Sequence, residues 1–359
     1  MTLGDRLRAE IAATGPISVA DYMARCLFDP QDGYYATRPA LGEDGDFITA
    51  PLVSQMFGEL IGLWAAETWN RLGKPARVLL VEMGPGDGTL MSDALRAASL
   101  APDFLAAAEL WLVEASGPLR DLQEAALAGS SLSPGWSHDL SAIPGGAPII
   151  LIANELLDCL PARQFVRLGE AWAERMVGLD ETGALAFGLR PTVRPESAPA
   201  DLAPGLIWEV SLAQQVVGID VGERVTQDGG AALFIDYGRD CPGPGDTLQA
   251  LRRHARVNPL AEPGEADLTV WADFPQFLES AREAGAETGL LDQGTFLRRL
   301  GVEQRARALA AARPDRADSI ARQLARLIDP DQMGALFKVA AIWSKGSPVP
   351  PGFEAENAP

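Results

Sequence analysis

The sequence predicts an α/β fold: a mainly parallel sheet covered on both faces by helices. Three observations carry this. Apolar runs of strand length, such as Ile149 to Ala153 and Ala231 to Ile235, lack polar alternation, as strands buried on both faces do. Stretches with helical apolar spacing separate them. One strand also runs straight into a Gly-rich turn that opens a helix, Gly84-Pro85-Gly86-Asp87-Gly88.

Taken in order, Leu3 to Ala13 places Leu3, Leu7 and Ile11 on one helix face and stops before Gly15-Pro16. Ser18 is positioned to cap a second helix that reaches Phe28. Residues 29–51 carry Asp29-Pro30, Asp32-Gly33, Arg38-Pro39, Gly42 and Gly45 and read as a long loop; such a length points to function or mobility. Ser54 to Leu72 reads as a helix that buries Phe57, Ile61, Trp64 and Trp69. Arg77 to Met83 is a strand, Thr89 to Ser99 a helix, Leu110 to Glu114 a strand, and Pro118 to Ala128 a helix. A short strand at Trp136 and the central strand Ile149 to Ala153 follow. Gly230 to Tyr237, Ala286 to Leu291 and Ala335 to Trp343 complete the series, the last two as an antiparallel closing pair. Two stretches interrupt it. One is 163–228, with period-two pieces at Gln164 to Val166 and Met176 to Leu179 and a Pro-rich run from Arg190 to Pro204. The other is 294–330, helical, Arg-rich and broken at Arg313-Pro314.

Composition narrows the function. With 359 residues, 47% hydrophobic and 22% charged, the chain has the make-up of a folded protein. Its 49 acids against 30 Lys+Arg give a net charge of −19. That balance disfavours nucleic acid, which needs a basic surface to displace counterions, and disfavours anionic membranes for the same reason. Cys26, Cys159 and Cys241 are isolated and read as buried free thiols. His138 and His254 are far apart without an HExxH pattern, so no metal is expected. No apolar run approaches the roughly 20 residues of a membrane span. No cationic segment followed by an apolar one marks a signal peptide, so a reducing bacterial cytoplasm is the expected location.

The glycine turn is the most informative segment. Glycines tolerate positive φ and let a ligand approach the backbone, and the helix N-terminus presents free amides above the sheet. A P-loop would need a Gly-Lys-Ser or Gly-Lys-Thr, which is absent. A dinucleotide fold wants GxGxxG, whereas this turn is GxGxG with Glu82 two residues ahead. Carboxylates at Glu82 and Asp87 would repel a pyrophosphate but attract the ammonium and sulfonium of S-adenosyl-L-methionine. Glu82, Gly84, Gly86 and Gly88 are therefore cofactor candidates. Glu114, ending the next strand, suits two ribose hydroxyls, a feature shared with NAD folds. Asp139 and Leu140, after the third strand, are candidates at the adenine end. The bland alternative is a plain strand-to-helix turn.

These segments occur with Gly33-Tyr34-Tyr35, Gly45-Asp46-Phe47-Ile48-Thr49-Ala50-Pro51, Asn154-Glu155-Leu156-Leu157-Asp158, Ile235-Asp236-Tyr237-Gly238, Pro263 to Thr269 and Met333 to Val339. In that order and combination the chain resembles the S-adenosyl-L-methionine-dependent methyltransferase family typified by the mitochondrial complex I assembly methyltransferase. The resemblance implies a Rossmann-like, seven-stranded class I core with an N-terminal helical and loop lid and inserted segments. The corresponding organisation is 1–74 N-terminal helices and lid, 75–162 and 229–293 core, 163–228 and 294–330 insertions, 331–346 final core strand, and 347–359 flexible tail. It also implies (symmetric) dimethylation of an arginine in the 49-kDa-type subunit of complex I, a protein partner. A homodimer is compatible with it.

On that reading Thr49, Pro51, Ser54 and Gln55 belong to a lid over the cofactor, although Ser54 has sufficient reason to exist as a helix cap. Asn154 joins the cofactor set. Glu155 and Asp158 are three apart, so a helical turn would put both on one side, where paired carboxylates could grip a guanidinium. Glu155 is the first candidate for catalysis, followed by Asp158 and Asp236. The plain alternatives are a first-turn helix acid for Glu155 and a strand-end turn for Asp236. The sequence departs from the family pattern at Asn258, where Asp is common, and at Trp271, where His is. Competing functions are a cofactor-binding assembly chaperone, a methyltransferase acting on another protein or a small molecule, and a nicotinamide-dependent oxidoreductase.

Overall fold

The computed structural model describes residues 1–37 and 49–355. The chain divides into two compact units. The larger comprises Ile48–Leu156, Val217–Asp240 and Phe274–Pro359; the smaller comprises Met1–Phe47, Leu157–Val216 and Cys241–Asp273. The Gly45-to-Ile48 part of the lid motif lies outside the described residues, as does all of 38–48.

In the larger unit seven strands form one sheet: β1 (Val78–Met83), β2 (Ala108–Val113), β3 (Gly135–Ser137), β4 (Ile149–Asn154), β5 (Gly230–Arg239), β6 (Glu287–Asp292) and β7 (Phe337–Trp343). Their order is β3-β2-β1-β4-β5-β7-β6. The first five run parallel, and β7 is antiparallel to both of its neighbours. The chain thus reverses its direction of growth between β1 and β4. In open α/β sheets a ligand crevice lies beyond the strand C-termini at such a switch. Strands β4 and β7 are apolar on both faces because both faces are covered, and Ile149 to Ala153 and Val339 to Ile342 are almost completely buried.

Helix α1 (Gln55–Arg71) is capped by Ser54, whose Oγ accepts the Met56 N–H at 3.3 Å. It buries Phe57, Ile61 and Trp64 and packs on α2 (Thr89–Ala98). The approach is close because α1 offers Gly58 and Gly62. A Cβ at Gly62 would lie 2.2 Å from the Ala94 carbonyl oxygen. Helix α3 (Gly117–Ala126) follows β2. Helix α4 (Leu212–Asp228) leads into β5; no helix is read from the sequence within 163–228. Helices α5 (Val302–Ala312) and α6 (Ala317–Ile328) flank the expected break. Arg305 of α5 grips the buried Glu59 of α1 through two hydrogen bonds of 2.7 and 3.0 Å, and Arg96 of α2 adds a third at 3.0 Å.

The end of the chain is tied down over 349–354, contrary to the expectation of a free tail. Trp64 Nε1 donates to the Pro351 carbonyl, Arg71 to that of Val349 and Arg299 to that of Gly352. Phe353 packs on Phe296. Buried aromatic area offsets the entropy of ordering the Pro-rich segment.

The smaller unit carries the N-terminal helices Leu3–Thr14 and Val19–Phe28, capped by Thr2 and Ser18. One antiparallel sheet contains Arg163–Leu168, Ala171–Leu179, Leu185–Thr192 and Ile207–Val210, and a second contains Gln249–Arg252, Ala255–Val257 and Asp267–Thr269. Buried Glu174 is held by Arg163 and Arg190. Gly33 has no room for a side chain: a Cβ would lie 2.5 Å from the Asp29 backbone. Tyr34 is buried, and Tyr35 donates its hydroxyl to Asp267 at 2.9 Å, so this pair packs inside the unit. Cys26 and Cys159 are buried as expected, whereas Cys241 is exposed in the loop after β5. Among the described residues, no helix is long and apolar enough to cross a membrane.

Candidate active site

Strand β1 delivers Glu82 to the C-terminal edge of the sheet. Its carboxyl is buried, and Oε2 has no hydrogen-bond partner. Burial first, and then the charge of Asp87, push its pKa up to about 8. The chain then turns through Gly84, Gly86 and Gly88 at φ of +65°, +56° and +86°, the left-handed region that only glycine enters without strain. Asp87 Oδ1 accepts the Thr89 N–H at 2.9 Å and so opens α2. Gly88 is doubly required, because a Cβ there would lie 3.1 Å from Ala126 Cβ and 3.2 Å from Gln123 Cα. Leu156, just beyond β4, covers Gly84.

Glu114 follows β2 and is partly exposed. Oε1 accepts the Ser116 N–H at 2.8 Å, and Oε2 accepts Gln123 Nε2 at 3.2 Å. Burial raises its pKa, against the opposing pull of these donors. Asp139 is exposed. It accepts the Ala142 N–H at 3.0 Å and the Ser141 hydroxyl at 2.6 Å, capping the short turn Leu140–Ala142. Those donors hold its carboxyl below the usual range. Leu140 is buried beside it.

At the end of β4 the expected helical turn does not form. Glu155 sits at φ +52°, and residues 155–160 make bends and a turn instead of a helix. The reading of Glu155 and Asp158 as neighbours on one helical face, and that of Glu155 as a first-turn helix acid, are corrected by this backbone. Strand pairing decides the matter: the Glu155 N–H is drawn to the Ile235 carbonyl at 2.8 Å, continuing the β4–β5 ladder past Asn154. Glu155 Oε1 accepts Asn154 Nδ2 at 3.1 Å and the Ala50 N–H at 3.3 Å. Asn154 Oδ1 is buried without a donor. Asp158 lies in the smaller unit, buried, with its carbonyl accepting the Val270 N–H at 2.9 Å.

Asp236 does not end its strand, which runs on to Arg239 because β7 keeps pairing with it through Tyr237. It is completely buried, and Oδ1 accepts the Tyr237 N–H at 2.8 Å. Thr49 and Pro51 start the short helix Ala50–Val53 as its N-cap and a first-turn residue. Ser54 serves as the α1 cap, and Gln55 donates to Glu59 at 3.3 Å. Sequence reasoning missed Gln123, which lies wholly inside the unit. Its signal was a polar residue standing between Leu119 and Leu127 in an otherwise apolar stripe.

Two buried acceptors without donors, Glu82 Oε2 and Asn154 Oδ1, stand at the ends of adjacent parallel strands. Buried acceptors of this kind call for a hydrogen-bond donor. The ammonium of S-adenosyl-L-methionine meets that demand, and a pyrophosphate does not. With the glycine turn beneath and the reversal of strand order beside it, the fold and site define an S-adenosyl-L-methionine-dependent methyltransferase. Residues 60–290 match the model of a family with that description. The protein arginine methyltransferase NDUFAF7, mitochondrial, of Mus musculus is 35% identical, with 94% of this chain and 83% of the relative aligned. The Homo sapiens protein of the same name is 34% identical over 94% of this chain and 82% of its own length. A Burkholderia thailandensis crystal structure with S-adenosyl-homocysteine bound superposes with a TM-score of 0.85 at 28% identity, covering 99% of this chain and 94% of that one. The chain belongs to the methyltransferase family that includes the NDUFAF7 proteins.

Proposed function

We propose that this protein transfers a methyl group to an arginine side chain of a protein, and that the acceptor is the 49-kDa-type subunit of respiratory complex I. The observation that carries the arginine reading is identity of 34–35% across nearly the whole chain to proteins named as protein arginine methyltransferases. The complex I subunit rests on the family resemblance of the sequence motifs.

When bound, S-adenosyl-L-methionine supplies an electrophilic methyl on a sulfonium. The chain's own residues do the rest. Glu82 and Asn154 offer acceptors to the ammonium, and Glu114 offers a carboxylate to the ribose. Asp139 and Leu140 serve the adenine end, and Thr49, Pro51, Ser54 and Gln55 form the cofactor-side approach. Glu155 is the catalytic candidate. Its carboxylate is held by Asn154 and Ala50, so it is oriented before the substrate arrives. A guanidinium is a poor nucleophile because its lone pairs are delocalised and its pKa exceeds about 12. Glu155 would align one nitrogen, stabilise the guanidinium charge and accept the proton that this nitrogen gives up, while the bound cofactor would supply the methyl carbon and keep the electron pair of its carbon–sulfur bond. Asp236, in the same unit as Glu155, is a secondary candidate for shaping the acceptor site, and Asp158 is a candidate by the family resemblance alone. Labelled methyl transfer to the purified subunit, compared between wild type and Glu155→Gln, tests the reading.

A further inference from the structure

We propose that Gln123 is a positioning residue for the cofactor, holding the Glu114 carboxylate where it takes the ribose hydroxyls. This rests on the assignment of Glu114 to the ribose. Gln123 is wholly buried on α3. Its Nε2 donates to the Gly86 carbonyl at 2.8 Å and to Glu114 Oε2 at 3.2 Å, while its Oε1 accepts Trp136 Nε1 at 3.0 Å. One amide therefore ties together the glycine turn, the residue after β2, and β3.

The orientation of that amide is forced. An indole N–H can only donate, so the amide oxygen must face Trp136. The two amide hydrogens then face Gly86 and Glu114, both of which offer acceptors. A flipped amide would set N–H against N–H at Trp136 and oxygen against oxygen at the other two. Glu114 in turn receives the Ser116 N–H on Oε1 and Gln123 on Oε2, with the Ala115 backbone N–H as a further donor. Its rotation about the final bond is fixed by these donors, and the residue is partly exposed. Preorganisation of this kind strengthens binding by removing the entropy of ordering the carboxylate.

The test uses the full chain and two ligands, S-adenosyl-homocysteine and its 2′,3′-dideoxy counterpart, by isothermal calorimetry. Wild type is expected to prefer the ribose form. Gln123→Met removes every hydrogen bond of the amide; it should weaken S-adenosyl-homocysteine about tenfold. The dideoxy ligand shares only the loss of the Gly86 tie and should weaken at least about threefold less, since it never engages Glu114. A purely structural role would weaken both ligands by one factor, and that result, or no effect on either, overturns the proposal. Gln123→Glu keeps the acceptor for Trp136 and nearly the same shape but sets a carboxylate against Glu114. It should show the same selective loss, and it carries the test if the Met variant fails to fold. Glu114→Ala distinguishes the two ways of failing. If it abolishes the ribose preference while both Gln123 variants leave that preference intact, Gln123 is not a positioning residue. If Glu114→Ala keeps the preference, the ribose assignment falls and the proposal with it. No methyl acceptor enters these measurements, so they stand apart from the arginine reading.

Discussion

The Glu155 carboxylate accepts the backbone N–H of Ala50 at 3.3 Å, so the acid after β4 is held by the first residue of the short helix ahead of α1. Its own backbone is in the left-handed region at φ +52°. A non-glycine residue there costs about 1–3 kcal/mol. Such strain commonly collects at functional sites.

Glu155→Gly and Glu155→Gln are expected to separate stability from activity. Both should lose at least about a hundredfold in methyl transfer, the scale of a lost preorganised electrostatic group. Glycine enters the left-handed region freely, so Glu155→Gly should be more stable than Glu155→Gln by about 1 kcal/mol. Urea melts and a labelled transfer assay check both halves. A fully active glycine variant would rule out a role for the carboxylate.

Glu82 predicts a pH dependence in the cofactor-free protein. Its carboxyl protonates near pH 8 in the folded state and near 4.3 when unfolded. The folded state binds the extra proton, so this group's contribution to stability falls as pH rises from about 4.3 to about 8, and is flat above. Glu82→Gln should remove that fall and be more stable than wild type at pH 8, while binding S-adenosyl-homocysteine more weakly. Melting curves taken across this pH range, with and without the ligand, are the check. Parallel curves for the two proteins would show that Glu82 does not titrate there.

The packing of α1 on α2 predicts a contrast between two glycines. Gly62→Ala would drive a Cβ into the Ala94 backbone and should cost about 3 kcal/mol or more, because backbone must move rather than a flexible side chain. Gly117, in the first turn of α3, has nothing within 4 Å of an added Cβ. Gly117→Ala meets only the ring of Pro118 that follows it and should change stability by no more than about 1 kcal/mol. Denaturant titrations of the two variants give both values.

Much of the fold was legible in the sequence because strands buried on both faces leave unbroken apolar runs. Strands β1, β4, β5 and β7 lie where those runs fall. Helix α4 was not legible: Leu212, Val216 and Ile219 are on its exposed side, so apolar residues occur all round and the periodicity is lost. The site was legible as a set of acids and glycines at strand ends. The backbone at Glu155 was not, since the pull of the Ile235 carbonyl belongs to the β4–β5 ladder and not to local sequence. The continuation of β5 past Asp236 depends likewise on β7, a hundred residues away in the chain. Gln123 was marked only as a polar residue in an apolar stripe, and its role needed Trp136, Gly86 and Glu114 brought around it.

The most direct measurement of the central claim is tandem mass spectrometry of the complex I 49-kDa-type subunit after incubation with this protein and S-adenosyl-L-methionine carrying a labelled methyl. The account predicts label on an arginine guanidinium with wild type and essentially none with Glu155→Gln, with both proteins binding S-adenosyl-homocysteine. Label on another residue type, equal labelling by the variant, or no labelling by a wild-type protein that binds the ligand would contradict it.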